Sequence, residues 1–442
     1  MYILAAEKEL TDELLLQFIT KHEKKVSKHY RKLLGAYKTD YPILHYKKKP
    51  DWKPDNRITV NFAKYIVDTM NGFFIGNPIK VTVDEGNEEV ERYIELLDQY
   101  NDQDDNNAEL AKICSIYGRG YEMYYVDDMA MIGITYLSPM EAFMIYDDSL
   151  VRKERFFVHT YRDEDHVLHG SISDDTEVKY FRLEGKLIWE EEPKLHGFDG
   201  VPAAEYVENE ERMGIFEPVM SMINAYNKAI SEKANDVDYF ADAYLKILGA
   251  LVNDDDTKYI RSNRIINFDG IGDKNPEVEF LSKPDSDTTQ EHLIDRLERL
   301  IFQISMVANI SDENFGTSSG IAMKYKLQAM SNLEKTKERK FTSGMNRRYR
   351  LIFSNPVSGM KKDDWLKLHY KFTPNIPANL LEETEIAKNM EGITSHETQL
   401  NVLSIVDNVK NEMDKIKAEG QAAEEGIVDR LMFKEEVADE QS

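Results

Sequence analysis

Gly316-Thr317-Ser318-Ser319-Gly320 spells G-x-S-x-G, the pattern of a nucleophile elbow that exposes a serine hydroxyl for acyl transfer. That chemistry needs a buried strand running straight into the turn, since the strained strand-to-helix corner is what presents the hydroxyl. The residues ahead of it, "ISDENF", are polar and close an amphipathic pattern, so the context reads helix–loop–helix. His369 and His396 lie downstream without an acid–histidine order around them. A serine hydrolase using Ser318 is therefore the alternative reading. A phosphate loop fails on spacing: G-x-x-x-x-G-K-[ST] places a lysine directly after the second glycine, whereas Lys324 lies four residues past Gly320.

Metal chemistry finds no better footing. A calcium loop started at Asp102 lacks the glycine at its sixth position and carries Ile113, not glutamate, at its twelfth. His166 and His169 have no cysteine or third histidine nearby and read as surface histidines. Asp254-Asp255-Asp256 reads as a turn; it would hold a cation only if neighbouring copies supplied further ligands. Cys114, the single cysteine, is flanked by Leu110, Ile113 and Ile116 and reads as helix core; alone it forms no internal disulfide and fits a reducing compartment. No catalytic residue, metal or cofactor is expected, and the chain reads as a non-enzyme.

The elements that carry these residues belong to an acidic chain of 442 residues with 81 Asp/Glu against 56 Lys/Arg, a net charge of −25. Such a chain has no overall attraction for DNA or an anionic membrane; any nucleic-acid contact must be local or weak. The exception is residues 321–350, with nine Lys/Arg and two Glu. Lys335–Arg350 could serve a soluble DNA-binding protein, but pairing with the chain's own abundant carboxylates is the favoured reading. No window reaches the ~18 apolar residues of a membrane span. The start, "MYILAAEKELTDELLL", places acids in its first helical pattern and has no basic segment ahead of an apolar run, so no signal peptide is expected.

Periodicity then predicts the elements. Residues 10–35 are helical, Asn61 caps a helix carrying Ile66, Val67 and Met70, and Ile79–Val83 is a strand after the turn Gly76-Asn77-Pro78. Residues 88–117 are helical. Residues 120–208 alternate as short strands ("YEMYYVDD", "MIGITYLS", "FMIYDD", "RFFVHTYR", "EVKYFRLEG", "KLIWEEE"), which makes the class α+β. A long helix spans 215–248, a rod of about 50 Å at about 1.5 Å per residue. A small unit at 250–283 follows, with strands "RIINF" and "EVEFL" around "DGIGDKNP". A second helix runs over 287–308 and a basic one over 321–352. In the acidic tail from 380, Thr394-x-x-Glu397 forms a capping box, and Val402, Val406, Val409, Met413 and Ile416 form a coiled-coil-like seam.

Three stretches taken together resemble the portal proteins of tailed double-stranded DNA phages, in the branch from long-tailed phages of Gram-positive hosts. They are "YPILHYKKKPDWKPDNRITVNFAKYIVDTMNGFFIGNPIKV", "FGTSSGIAMKYKL" and "FTPNIPANLLEETEIAKNMEGITSHETQLNVLSIVDNVKNEMDKI". The likeness covers most of residues 40–417 in order.

The resemblance implies a homo-oligomeric ring, usually of twelve subunits, at one capsid vertex of the virion, assembled in the host cytoplasm. Double-stranded DNA passes through it non-specifically during packaging and ejection. It implies an N-terminal region and β-rich wing at 1–214, a first stem helix at 215–249 and a clip at 250–284. A second stem helix at 285–308 and a tunnel loop at 309–320 follow. A wing helix with its return segment occupies 321–377, and a crown with an acidic tail 378–442. Asn314, Phe315, Gly316, Thr317, Ser318, Ser319 and Gly320 would then face DNA at the constriction. Arg261, Asn263, Arg264, Asp269, Asp273 and Lys274 would face the terminase large subunit and, later, head-completion or connector proteins. Scaffold and major capsid protein are further implied partners, with no membrane, cofactor or catalysis; in such a system the motor's ATPase is a separate protein. The chain departs from the family in a short tail that ends in the polar "KEEVADEQS", so the resemblance does not fix the extent of the crown.

Overall fold

The first strand, β1 (Tyr2–Ile3), lies parallel to β5 (Ala142–Tyr146), so a strand that the sequence does not signal precedes the helix expected over 10–35. In the computed structural model, residues 1–51, 53–84, 86–241, 245–248, 277–280, 287–310, 320–376, 380–403, 405–406, 409 and 412–419 are described. They fall into two units, Met1–Asn375 and Ile376–Ser442. Helices and strands are mixed in the first unit, as the α+β reading requires.

Helix α1 (Asp12–Lys25) starts where Thr11 Oγ1 accepts from Leu14 N, with Asp12 and Glu13 at the positive end of its dipole. A π-helical turn, Val26–Tyr30, joins it to α2 (Arg31–Tyr37). Asn61 caps α3 (Phe62–Ile75) by accepting from Lys64 N at 2.9 Å, as the sequence predicts. Strand β2 (Lys80–Val83) follows, then α4 (Glu88–Tyr100) and α5 (Gln103–Tyr117).

The strand region holds β3 (Arg119–Val126), β4 (Ile132–Leu137), β5, β6 (Glu154–Arg162), β7 (Leu168–Ser173), β8 (Glu177–Glu184), β9 (Lys186–Trp189), β10 (Lys194–Leu195) and β11 (Ala203–Val207). They form two sheets. One has the order β1-β5-β6-β7-β8-β10 with β9 on β8, and the other the order β11-β3-β4. Strand β5, "AFMIY", is buried on both faces because a period of two sends alternate side chains to different layers. Phe143 and Ile145 pack with Leu15 and Ile19 of α1, while Ala142, Met144 and Tyr146 pack with Tyr121 and Ala203 of the smaller sheet.

The long helix expected over 215–248 is shorter. A 3-10 turn at Glu217–Val219 leads into α6 (Met220–Ala241), and Leu245–Leu248 is a strand, β12, antiparallel to β13 (Glu277–Phe280). "LKIL" fits a helical stripe and a strand alternation equally well, and its pairing with residues some thirty positions away decides between them. Strand β13 falls in "EVEFL" as expected, whereas "RIINF" and "DGIGDKNP" lie outside the described residues. Twenty-two residues make α6 about 33 Å long. Helix α7 (Asp287–Ser305) packs along it.

The longest described rod is instead α8 (Gly320–Ser354), 35 residues or about 52 Å. Its buried stripe runs Leu327, Met330, Glu334, Lys337, Phe341, Met345, Arg348 and Ile352, in steps of three and four. Strand β14 (Leu368–Lys371) returns the chain to pair with β2.

In the second unit, α9 (Leu380–Asn389) and α10 (His396–Leu400) are short. The cap of α10 is Ser395, whose Oγ accepts from Thr398 N at 3.3 Å, not Thr394. Val402 and Val406 lie in turns closed by Gln399 O and Leu403 O, so the expected seam is not one continuous helix. Residues four and three apart share a face only if the backbone stays helical between them.

Candidate functional site

The site begins with the α6–α7 pair. Ile223 and Tyr226 of α6 and Ile294 and Ile301 of α7 belong to the main core. Phe62 of α3 meets Tyr226 edge-on at 4.9 Å and Phe302 at 5.7 Å between ring centroids. Polar bridges extend the pairing toward the far end of α6: Lys233 pairs with Glu291, and Gln290 donates to Asp236 at 3.2 Å.

The opposite side of α6 carries a feature that sequence reading missed. Asn227, Ser231 and Asn235, one turn apart, are buried and reach an extended strap at residues 56–60. Val60 N donates to Asn227 Oδ1 at 2.8 Å, Ile58 N to Ser231 Oγ at 2.9 Å and Asn56 N to Asn235 Oδ1 at 2.6 Å. Alternate amides of an extended chain repeat every ~6.6 Å and a helical turn every ~5.4 Å, so three pairs stay within reach. The sequence of "NRITV" reads as a strand, but none forms: a helix's side chains satisfy its amides where a neighbouring strand would have done so. The signal was N-x-x-x-S-x-x-x-N on a helix, polar residues at positions that periodicity assigns to the interior.

After α7 the chain is anchored as far as it is described. Ile310 N donates to Tyr65 Oη at 2.8 Å, and Val307 is buried. Of the seven loop candidates, Gly320 is the first residue of α8. Asn314, Phe315, Gly316, Thr317, Ser318 and Ser319 lie outside the described residues, as do Arg261, Asn263, Arg264, Asp269, Asp273, Lys274 and the Asp254–Asp256 turn. The segment leading to Ser318 is helix to Ser305 and irregular through Ile310, whereas an elbow asks for a strand.

Helix α8 places three of its cations, Lys337, Arg347 and Arg348, inside the fold. Lys337 Nζ lies 2.5 Å from Glu208 Oε2 and 2.6 Å from Ser115 Oγ, and also donates to Ala111 O at 3.1 Å. Arg348 donates to both oxygens of Glu122, and Nη2 also to Asn107 Oδ1 at 2.7 Å. Burial opposes the Arg348 charge, but the Glu122 carboxylate outweighs it and pushes the guanidinium's pKa well up. Arg347 pairs with Glu154 at 3.0 Å and Lys340 with Glu210 at 2.5 Å. These cations are committed to intrachain carboxylates, as the charge balance favoured.

A neighbouring cluster joins the sheets. Glu205 pairs with Arg119 at 2.9 Å and Arg212 at 3.0 Å and accepts from Tyr146 Oη at 2.6 Å. Burial alone would raise the Glu205 carboxyl; Arg119 and Arg212 hold it below the usual range. Burial pushes the Cys114 thiol well up, which suits a core residue and not a nucleophile. His169 is not a surface histidine: half-buried, it lies 3.0 Å from Asp163 and 3.3 Å from Glu190. Among the described residues no group of three His, Cys, Asp or Glu could hold a metal ion, and no helix is long and apolar enough to cross a membrane.

The arrangement defines a structural scaffold: a helix pair flanking a strand pair, backed by a sheet region locked to a long helix through buried charge. The family model for phage portal proteins of the SPP1 Gp6-like type matches residues 16–426, and the chain belongs to that family. It is also similar to a portal protein of a Clostridium phage, phiCD119, with 22% identity over 401 residues, covering 83% of this chain and 85% of that protein.

Proposed function

We propose that the chain assembles into a ring, of twelve subunits by the resemblance, that forms the DNA channel at a capsid vertex of the virion. The genome is packaged through it by the terminase motor and later ejected, and head-completion proteins dock on it. Family membership across residues 16–426 carries this reading. In it, α6 and α7 form the stem, residues 250–284 with the β12–β13 pair the clip, residues 309–320 the tunnel loop, the sheet region with α8 the wing, and residues from 378 the crown. Arg261, Asn263, Arg264, Asp269, Asp273 and Lys274 face the terminase and connector. Asn314 to Gly320 face DNA.

Physical chemistry supports it. A conduit must not hold its cargo, because each phosphate neutralised by Lys or Arg adds to binding and resists sliding. A chain of net charge −25 with Thr317, Ser318 and Ser319 at its constriction meets that need. Three cations of the basic helix are withheld from DNA: Lys337, Arg347 and Arg348 each have buried or half-buried carboxylate partners. The ring acts mechanically, without catalysis.

Native mass spectrometry and electron microscopy of the purified chain test this; a large ring with a central hole is expected, and a compact monomer or dimer at every concentration would sink it. Ser318→Ala separates the hydrolase alternative, since the ring reading leaves no esterase activity to lose.

A further inference from the structure

The β5–β6 hairpin ends in an apolar tip that the fold holds rigidly in water. Leu150 is 102% exposed and Val151 79%, which makes the pair the most exposed adjacent apolar residues among those described. The turn beneath them is fixed: Asp147 Oδ1 accepts from Ser149 N at 3.1 Å and Lys153 N at 2.8 Å. Asp148 Oδ1 accepts from Ala6 N at 2.9 Å, and Arg152 sits in the left-handed region with φ 50°. Arg152 and Lys153 follow directly, so the tip presents two apolar side chains and then two cations. Exposing such a pair on a rigid turn is unfavourable unless something covers it.

A surface of opposite character lies between α1 and the outer face of the larger sheet. It is a groove of about 800 Å³, within the size range of binding pockets, roughly 300–1,000 Å³. Its base is apolar, from Leu10, Leu15, Phe156, Ile172 and Trp189. Its lining holds seven carboxylates against two cations. Several of these carboxylates are engaged, as Glu177 is with Lys179 and Glu191 with Lys194. Among the described residues Glu9, Asp12, Asp174 and Glu192 form no ion pair, and Asp174 Oδ1 accepts from Thr176 N and Glu177 N, each at 2.8 Å.

We infer that the Leu150–Lys153 tip of one copy seats in the acidic groove of the next copy around the ring, an inference that rests on the ring reading above. The apolar pair covers the groove's base while Arg152 and Lys153 meet Asp12, Asp174 and Glu192 at its rim. Tip and groove are different surfaces of one chain, so the contact is head-to-tail, the kind that closes into a ring when the rotation per subunit permits. A pre-ordered tip also loses little freedom on docking. Charge at the rim sets register and partner choice more than affinity.

A chain carrying Val151→Cys with Glu192→Cys, oxidised mildly and run without reductant, tests the contact. Cys114 is buried and does not compete. The expected result is a ladder of covalent species extending well past dimer, absent from either single variant. Rings that form on native mass but give no ladder overturn the inference and leave the ring reading intact. Cross-linking that stops at dimer overturns it too, since a reciprocal pair is not head-to-tail. A chain that stays monomeric overturns both.

A charge-reversal series gives a second readout. Arg152→Glu with Lys153→Glu raises the concentration for half-assembly about tenfold at low salt and less at high salt, and adding Asp12→Lys with Glu192→Lys restores most of it. No change on reversal, or no rescue, counts against the contact.

Discussion

Arg348 and Glu122 are joined by two hydrogen bonds, Nη2 to Oε1 at 2.6 Å and Nε to Oε2 at 2.9 Å, and neither side chain is more than 1% exposed. Tyr124 and Tyr206 each add a hydroxyl to Glu122 Oε2, at 2.9 and 2.8 Å. The pair fastens α8 to the first strand of the smaller sheet across 226 residues of chain. Removing one partner leaves the other charge buried, so Arg348→Ala or Glu122→Ala should each cost about 3–5 kcal/mol in urea unfolding. Changing both to apolar residues of similar size should cost far less than the sum of the single changes.

Gly344 lies inside α8, where alanine is ordinarily better by about 1 kcal/mol. A Cβ there would meet the Tyr206 ring at 2.4 Å, and that ring's hydroxyl is committed to Glu122. Gly344→Ala should therefore lower stability, by about 1–3 kcal/mol. Adding Tyr206→Ala should reverse the sign of the Gly344→Ala effect, which a double-mutant cycle reads directly.

Much of this was legible in the sequence. The α+β class, the helix cap at Asn61, and most strands between 119 and 208 follow from local signals, because period and capping are written within a few residues. The misses are non-local. Tyr2–Ile3 becomes a strand only because β5 offers an edge, and Leu245–Leu248 only because β13 does. That the cations of α8 pair with the chain's own carboxylates follows from the charge balance, but which carboxylates they meet does not, since no local rule ties Arg348 to Glu122 across 226 residues. Ser318 loses its claim as a nucleophile on its polar, helix–loop–helix context. Six of the seven loop candidates and all six clip candidates fall outside the described residues.

Ser231 tests the strap. Its hydroxyl accepts from Ile58 N and donates to Ile58 O or Asn227 O, at 3.1 and 2.7 Å, so it both supplies and receives. Ser231→Ala removes the side-chain partner of Ile58 N, whose residue is 39% exposed, and should cost about 0.5–1.5 kcal/mol. Amide exchange at Ile58 and Val60 should accelerate more than exchange within α3. Equal acceleration everywhere would mean that the strap is not a separate unit.

His22 predicts the acid response of the sheet's outer layer. It is 3% exposed, its ring centroid lies 4.5 Å from that of Phe143, and its Nδ1 is 3.1 Å from the Tyr2 hydroxyl. Burial first, then Lys25 and Arg119, pushes its pKa down to about 3. The folded chain thus keeps the imidazole neutral while the unfolded chain protonates it near 6.5. Stability from this group is complete above about pH 6.5 and is lost as pH falls from there toward 3, by several kcal/mol in all. His22→Gln should be less stable than the parent at pH 8, because the packing against Phe143 and the Tyr2 contact are weakened. The gap should narrow steadily as the pH is lowered from 6.5 to 4. Denaturant unfolding at a series of pH values measures that difference and cancels the carboxylates common to both chains; a gap that stays constant would show that His22 protonates as readily folded as unfolded.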